Sequence, residues 1–224
     1  MKRIISIVMA ALMACSIADA QSTKETIKER KQIAKLSYSE LNARASKAAR
    51  KEAKTLKKEG WTVAPGQLPL EKQLDKSYSM YYEYEESGLP KYIIGDAMSP
   101  GKIYDAARMQ AIELAKTNLA GLIQTEVTAL IESTVANEQI AQDDAESIAR
   151  TVSASKNLIV QRLGRTVTIV ECYRKLANGT MEVRVTIVYN ARMAIDAAKA
   201  VIKAQLEEKG EDLHEQLDAM WGQL

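Results

Sequence analysis

The chain is short of the residues that build reactive or cross-linked sites. It has one His, two Cys and four Pro in 224 residues, and only 5% aromatic side chains. Two Cys exclude a disulfide scaffold, and with a single His they exclude a zinc site of several Cys and His. Charge of one sign is also lacking: 31 Lys and Arg face 29 Asp and Glu, a formal net charge of +2. That balance excludes a broadly basic nucleic-acid binder and an acidic disordered chain, so nucleic acid is not an expected partner. Beyond the N-terminus no stretch approaches the ~18 uninterrupted apolar residues of a membrane helix, so no transmembrane span is expected in the mature chain.

What is present begins with an address. Lys2 and Arg3 precede an apolar run from Ile4 to Cys15, and Ala18-Asp19-Ala20 supplies a small-x-small exit. This order reads as a signal peptide over 1–20, cleaved after Ala20. A rival address overlaps it: Leu12-Met13-Ala14-Cys15 has the form of a lipobox, with Cys15 as the lipidation site. Either way the chain is exported, to the periplasm or the outer membrane. Once 1–20 is removed, Cys172 stands alone and is expected to be buried.

Residues 23 to 59 hold no Gly or Pro and read as one long amphipathic helix, within a basic segment 21–59. Its apolar stripe is narrow and Ala-rich; its outer faces are basic. Arg44, Lys47, Arg50, Lys51 and Lys54 are the candidate contact to an anionic envelope surface or an envelope protein. Gly60 to Pro69 reads as a linker, and 69 to 86 as a helix. Tyr78, Tyr81 and Tyr82, with Tyr84, are either a packed helix face or a platform for a glycan or peptide.

The remainder, 70–224, reads as an α+β domain. Lys91 to Ile94 has the composition of a short strand, placed at 91–95, and Ser99-Pro100 the form of a helix start. From Ile103 to Val135 one apolar face persists, through Ala107, Ala111, Ala115, Leu119, Ile123 and Val127. Its early alanines suit close approach to a sheet. A second helix is expected over about 141–160, with Asp143 and Asp144 at its start. Residues 165–189 read as a hairpin turning at Asn178-Gly179. A two-residue turn sets Ala177 against Thr180, Cys172 against Val185, Tyr173 against Arg184 and Lys175 against Glu182. Asn190 is placed to cap the last helix, Gly210 to bend it, and Trp221 to be a packing lid or an exposed contact. The sheet is expected to be small and antiparallel, from the 91–95 strand and the hairpin, with the long helices on one face.

Several motifs dissolve on inspection. Gly95 to Lys102 sits where a P-loop would, but has five residues between its glycines and Ile103 after the Lys. His214 lies among Glu211, Asp212 and Glu215 with no second ligand, and reads as solvated. Asn178-Gly179-Thr180 fits a glycosylation sequon, which turn geometry already explains. No catalytic cluster and no cofactor or metal site is read from the chain, and it is not expected to be an enzyme.

Ala106-Ala107-Arg108, Ala111, Ala115, Leu119-Ala120, Ile123 and Val127, followed by Val170-Glu171-Cys172-Tyr173-Arg174, Asn178-Gly179-Thr180 and Val183-Arg184-Val185, carry a resemblance. Over about 91–190 the chain resembles the LPP20 family of bacterial envelope lipoproteins, related to the N-terminal domain of the flagellar protein FlgT. The resemblance implies an envelope location and a structural or assembly role without an active site. The reading is therefore a non-catalytic cell-envelope protein with a structural, assembly or interaction role. The alternative is a periplasmic or surface module binding a glycan or peptide. A homo-oligomer is compatible with both.

Overall fold

The computed structural model describes Lys28, Lys31 and residues 43–86, 89–136, 141–210 and 213–221. The signal segment 1–20, with Cys15, lies outside the described residues. The chain divides into two units, Met1–Arg44 and Ala45–Leu224. In the first, Lys28 and Lys31 are helical and exposed, and Arg44 is exposed.

The second unit is α+β, as its patterning implied. Its elements are α1 (Lys47–Lys58), α2 (Leu70–Tyr81), β1 (Tyr92–Gly101), α3 (Tyr104–Ala136), α4 (Gln142–Ala154), α5 (Lys156–Arg162), β2 (Val167–Lys175), β3 (Met181–Asn190), α6 (Ala191–Glu208) and α7 (His214–Trp221). The sheet is antiparallel in the order β1-β3-β2. No helix of the described residues is long and apolar enough to cross a membrane.

The expected single helix over 23–59 is broken: residues 43–46 are not helical, and Ser46 caps a new start. Its hydroxyl accepts from Ala49 N at 3.2 Å, and its own N–H donates to Asp75 at 3.0 Å. A side chain that satisfies an orphan helix donor competes well against uninterrupted helix. α1 thus belongs to the compact unit rather than to a separate leader. Ala49, Ala53 and Leu56 bury against Leu70 and Leu74 of α2 and against Val170, Cys172 and Val188 of the sheet.

The expected linker is anchored. Trp61 is buried with the guanidinium of Arg174 over its ring at 4.6 Å. Thr62 exchanges two backbone bonds of 2.8 Å with Tyr173. These bonds and Gln73, which accepts from Glu171 N at 2.7 Å, cover the outer edge of β2. α2 ends at Tyr81 rather than near 86, because the chain then folds back. Glu85 N donates to Leu89 O at 2.8 Å and Lys91 N to Glu83 O at 2.9 Å.

β1 is ten residues long and takes in Ser99 and Pro100, which are strand and not a helix start. Pro is tolerated there because β1 is an edge strand. The same extended backbone removes any phosphate-cradling loop over Gly95–Lys102. Odd-numbered β1 residues face α3. At Gly95 an added Cβ would lie 2.5 Å from Ala115 O, and at Gly101 2.8 Å from Ala107 N. With Ala107, Ala111 and Ala115 fully buried, strand and helix meet backbone to backbone, as the alanine spacing implied.

The hairpin register differs by one from the two-residue-turn expectation. Leu176 N donates to Thr180 O at 2.8 Å and Gly179 N to Leu176 O at 2.9 Å, with Gly179 at φ +83°. The loop has three residues, and its left-handed glycine supplies the bulge. Cys172 therefore lies opposite Arg184 rather than Val185, Tyr173 opposite Val183 and Lys175 opposite Met181. Arg174 faces Glu182 and pairs with it at 2.7 Å. Cys172 is buried even so, because helices cover both faces of the sheet and not one. α1 and α2 pack on its side, while α3 covers Val183, Val185 and Ile187.

The expected 141–160 helix is α4 and α5, separated at Ser155, and Asp143 and Asp144 do lie in the first turn. Asn190 caps α6, accepting from Met193 N at 3.0 Å. Gly210, at φ +75°, follows the end of α6, and Trp221 packs into the core. His214 opens α7; its side chain, expected to be solvated, lies outside what is described.

Candidate functional site: a tyrosine-bordered cleft beside an open sheet edge

Beyond Leu119 the α3 side chains grow, and helix and strand separate. A cleft of about 480 Å³ opens there. Leu122, Val127 and Leu130 of α3 form one wall, and Ile195 of α6 with Trp221 forms another. Tyr92, Ile93 and Ile94, at the start of β1, line the strand side of the cleft, and Tyr81, Tyr84 and Leu89 its border. Glu85, Glu126, Asp196 and Arg192 are the charged members of the lining. Arg192 pairs with Glu85 at 2.8 Å.

The tyrosines divide between the two roles expected of them. Tyr78 is half-buried and donates to Glu52, a packing role between α2 and α1. Burial, and then Glu52, push its pKa up to about 12. Tyr81, Tyr82 and Tyr84 are 63%, 70% and 56% exposed. Tyr81 and Tyr82 meet edge to face at 5.1 Å, and Tyr81 and Tyr84 border the cleft. Sequence reasoning missed Tyr92 and Trp221 as neighbours of these rings, since no local pattern links them.

Lys47, Arg50, Lys51 and Lys54 are all exposed on α1. Arg50 and Lys54, with Lys57 and Lys58, edge a shallow hollow whose one acidic member is Glu71. Lys57 and Glu71 pair at 3.0 Å, and Glu71's backbone N–H and Lys57 hold that carboxyl below the usual range. The basic face is thus outside the cleft. The acidic run after α2 is engaged in ion pairs, Glu83 with Lys91 at 2.5 Å and Glu85 with Arg192.

A second cluster was also missed. Glu171, 5% exposed, points to the α3 face instead of the expected outer face. It accepts from Tyr104, from Arg108 Nε at 2.9 Å to both oxygens, and from Gln67 at 2.8 Å. Burial alone would raise its pKa; the three donors more than reverse that, and it titrates below the carboxylate range. Burial and then Glu171 push Tyr104 up to about 12. Donors from three segments clamp this carboxylate, so the cluster reads as a fastener between α3, β2 and the 60–69 strap. Cys172 is pushed up to about 11 by burial, which makes its thiol a poor nucleophile. Among the described residues no group of three or more His, Cys, Asp or Glu is gathered for a metal.

Comparison of the chain with protein-family models, curated proteins and solved structures returns no match.

Proposed function

We propose that the chain is an exported, non-catalytic protein of the bacterial cell envelope that works by holding a partner in the tyrosine-bordered cleft. The observation that carries the reading is the cleft itself: exposed aromatic rings around a mainly apolar hollow, with Glu85, Glu126, Asp196 and Arg192 as its charged members. Export is supported by the order Lys2-Arg3, apolar 4–15, Ala18-Asp19-Ala20. A structural or assembly role is supported by the resemblance to the LPP20 family. A non-catalytic role is supported by the buried thiol and by a Glu171 carboxylate already committed to three donors.

The test is site-directed photocrosslinking in the native envelope. A photoreactive side chain at Leu122, in the cleft wall, is expected to capture a discrete species. The same group at Met109, exposed on the same helix away from the cleft, is expected to capture none. Equal capture at both positions, or none at Leu122, contradicts the proposal. The exposed basic side of α1 favours an additional contact with an anionic surface. Salt-sensitive cosedimentation with anionic but not neutral vesicles is its expected signature.

A further inference from the structure

We infer that the cleft receives an extended peptide segment bearing apolar side chains next to Lys or Arg, laid along the open edge of β1. The inference rests on the cleft being the working surface and adds what fills it. Four observations converge on a peptide. First, the two sheet edges are treated differently. β2 is covered by Thr62 and Gln73, whereas on β1 the side-chain bonds to backbone among the described residues are Asn118 Nδ2 to Asp96 O at 2.7 Å and Ser99 Oγ to Pro100 O at 3.4 Å, and neither reaches Ile94. The Asn118 bond shows Asp96's backbone pointing away from β3. Strand alternation sets the N–H and C=O of Ile94 on the same side, and Ile94 lines the cleft. An added strand would meet unpaired ladder groups there.

Second, the walls are aliphatic and aromatic, which suits alternate side chains of such a strand. Third, three carboxylates face one guanidinium. With Glu85 matched to Arg192, Glu126 and Asp196 are the excess negative charge, and the complement is a basic side chain. Fourth, Trp221 lines the cleft at 8% exposure, and its indole N–H has no acceptor among the described residues. Buried donors in folded proteins nearly always find a partner. A peptide carbonyl is an acceptor that arrives with the ligand. Aliphatic ligands lack that acceptor, and an anionic ligand would oppose the carboxylates.

Calorimetry on the full chain tests this with four probes. They are a short blocked peptide alternating valine and lysine, the same peptide with glutamate for lysine, the lysine peptide N-methylated at alternate amides, and an alkyl glucoside below micelle concentration. The lysine peptide is expected to bind, with the glutamate and N-methylated forms each about tenfold weaker. Glu126→Gln with Asp196→Asn is expected to erase the preference for lysine. Leu122→Arg is expected to remove binding, while Met109→Arg, on the exposed surface of the same helix outside the cleft, keeps it. Equal binding of the lysine and glutamate peptides overturns the charge argument, and equal binding of the N-methylated form overturns strand addition. If the glucoside alone binds and Leu122→Arg blocks it, the peptide inference falls and the cleft reading stands. If no probe binds, crosslinking at Leu122 separates the two: capture there sinks only the peptide, and its absence sinks both.

Discussion

One helix meets one strand in two different ways. Along its first three turns α3 presents Ala107, Ala111 and Ala115 to Gly95 and Gly101, and the two backbones touch. Beyond Leu119 the same helix presents Leu122, Val127 and Leu130 to a cleft of about 480 Å³, whose β1 side is lined by Tyr92, Ile93 and Ile94. Small residues line the sealed half and larger ones the open half, where α3 runs on past the start of β1. The sealed half is also pinned by Tyr104 and Arg108 on Glu171, so position is fixed at one end and a surface offered at the other. This division suits a binding module, in which a rigid contact holds the walls of an adjustable one.

The largest effect is expected from forcing the sealed half apart. Gly95→Val places a side chain where Ala115 O already stands and should cost about 3 kcal/mol or more, read as a lowered denaturant midpoint. Next is the pin. Glu171→Ala strands Tyr104 and Arg108; because Arg108 keeps access to water, the loss should be nearer 2 kcal/mol. The same carboxylate sets an acid limit. Its folded pKa lies below the unfolded value, so the unfolded chain binds the proton first. The contribution is present above about pH 4.3 and is lost as pH falls through the lowered folded value. Glu171→Ala should therefore flatten the acid limb of the stability profile. Smallest is the open half: Leu122→Ala, at 46% exposure, should change stability by about 0.5 kcal/mol or less. An equal loss at Gly95 and Leu122 would erase the distinction between the two halves.

Of the sealed half the helix side is legible in the sequence, because alanines at 107, 111 and 115 repeat at helical spacing; the strand beyond residue 95 is not. Nor is the hairpin register. Asn178-Gly179 serves a two-residue turn and a three-residue loop equally well, with Gly179 left-handed in both, and the pairing of Leu176 with Thr180 decides between them. Ser99-Pro100 has the chemistry of a helix start, yet strand pairing with Val183 and Glu182 outweighs it. The break before Lys47 was hidden by good helix formers on both sides of Ser46. Neither cluster could be found by spacing. Arg108 and Glu171 meet only because β2 and α3 share a sheet face, and Tyr81, Tyr92 and Trp221 come together from three separate segments. The tyrosine run reads as a packed helix face or a platform; what it borders depends on the fold.

The most direct measurement is the pair of indole N–H signals in a nitrogen–proton correlation spectrum, one from Trp61 and one from Trp221, during titration with the lysine peptide. Trp61 lies in the cluster beneath α1 and α2, and Trp221 lines the cleft with its N–H unpaired among the described residues. The account predicts that the Trp221 signal moves downfield to saturation while the Trp61 signal stays in place. A stationary Trp221 signal at saturating peptide, or equal movement of both, would contradict it.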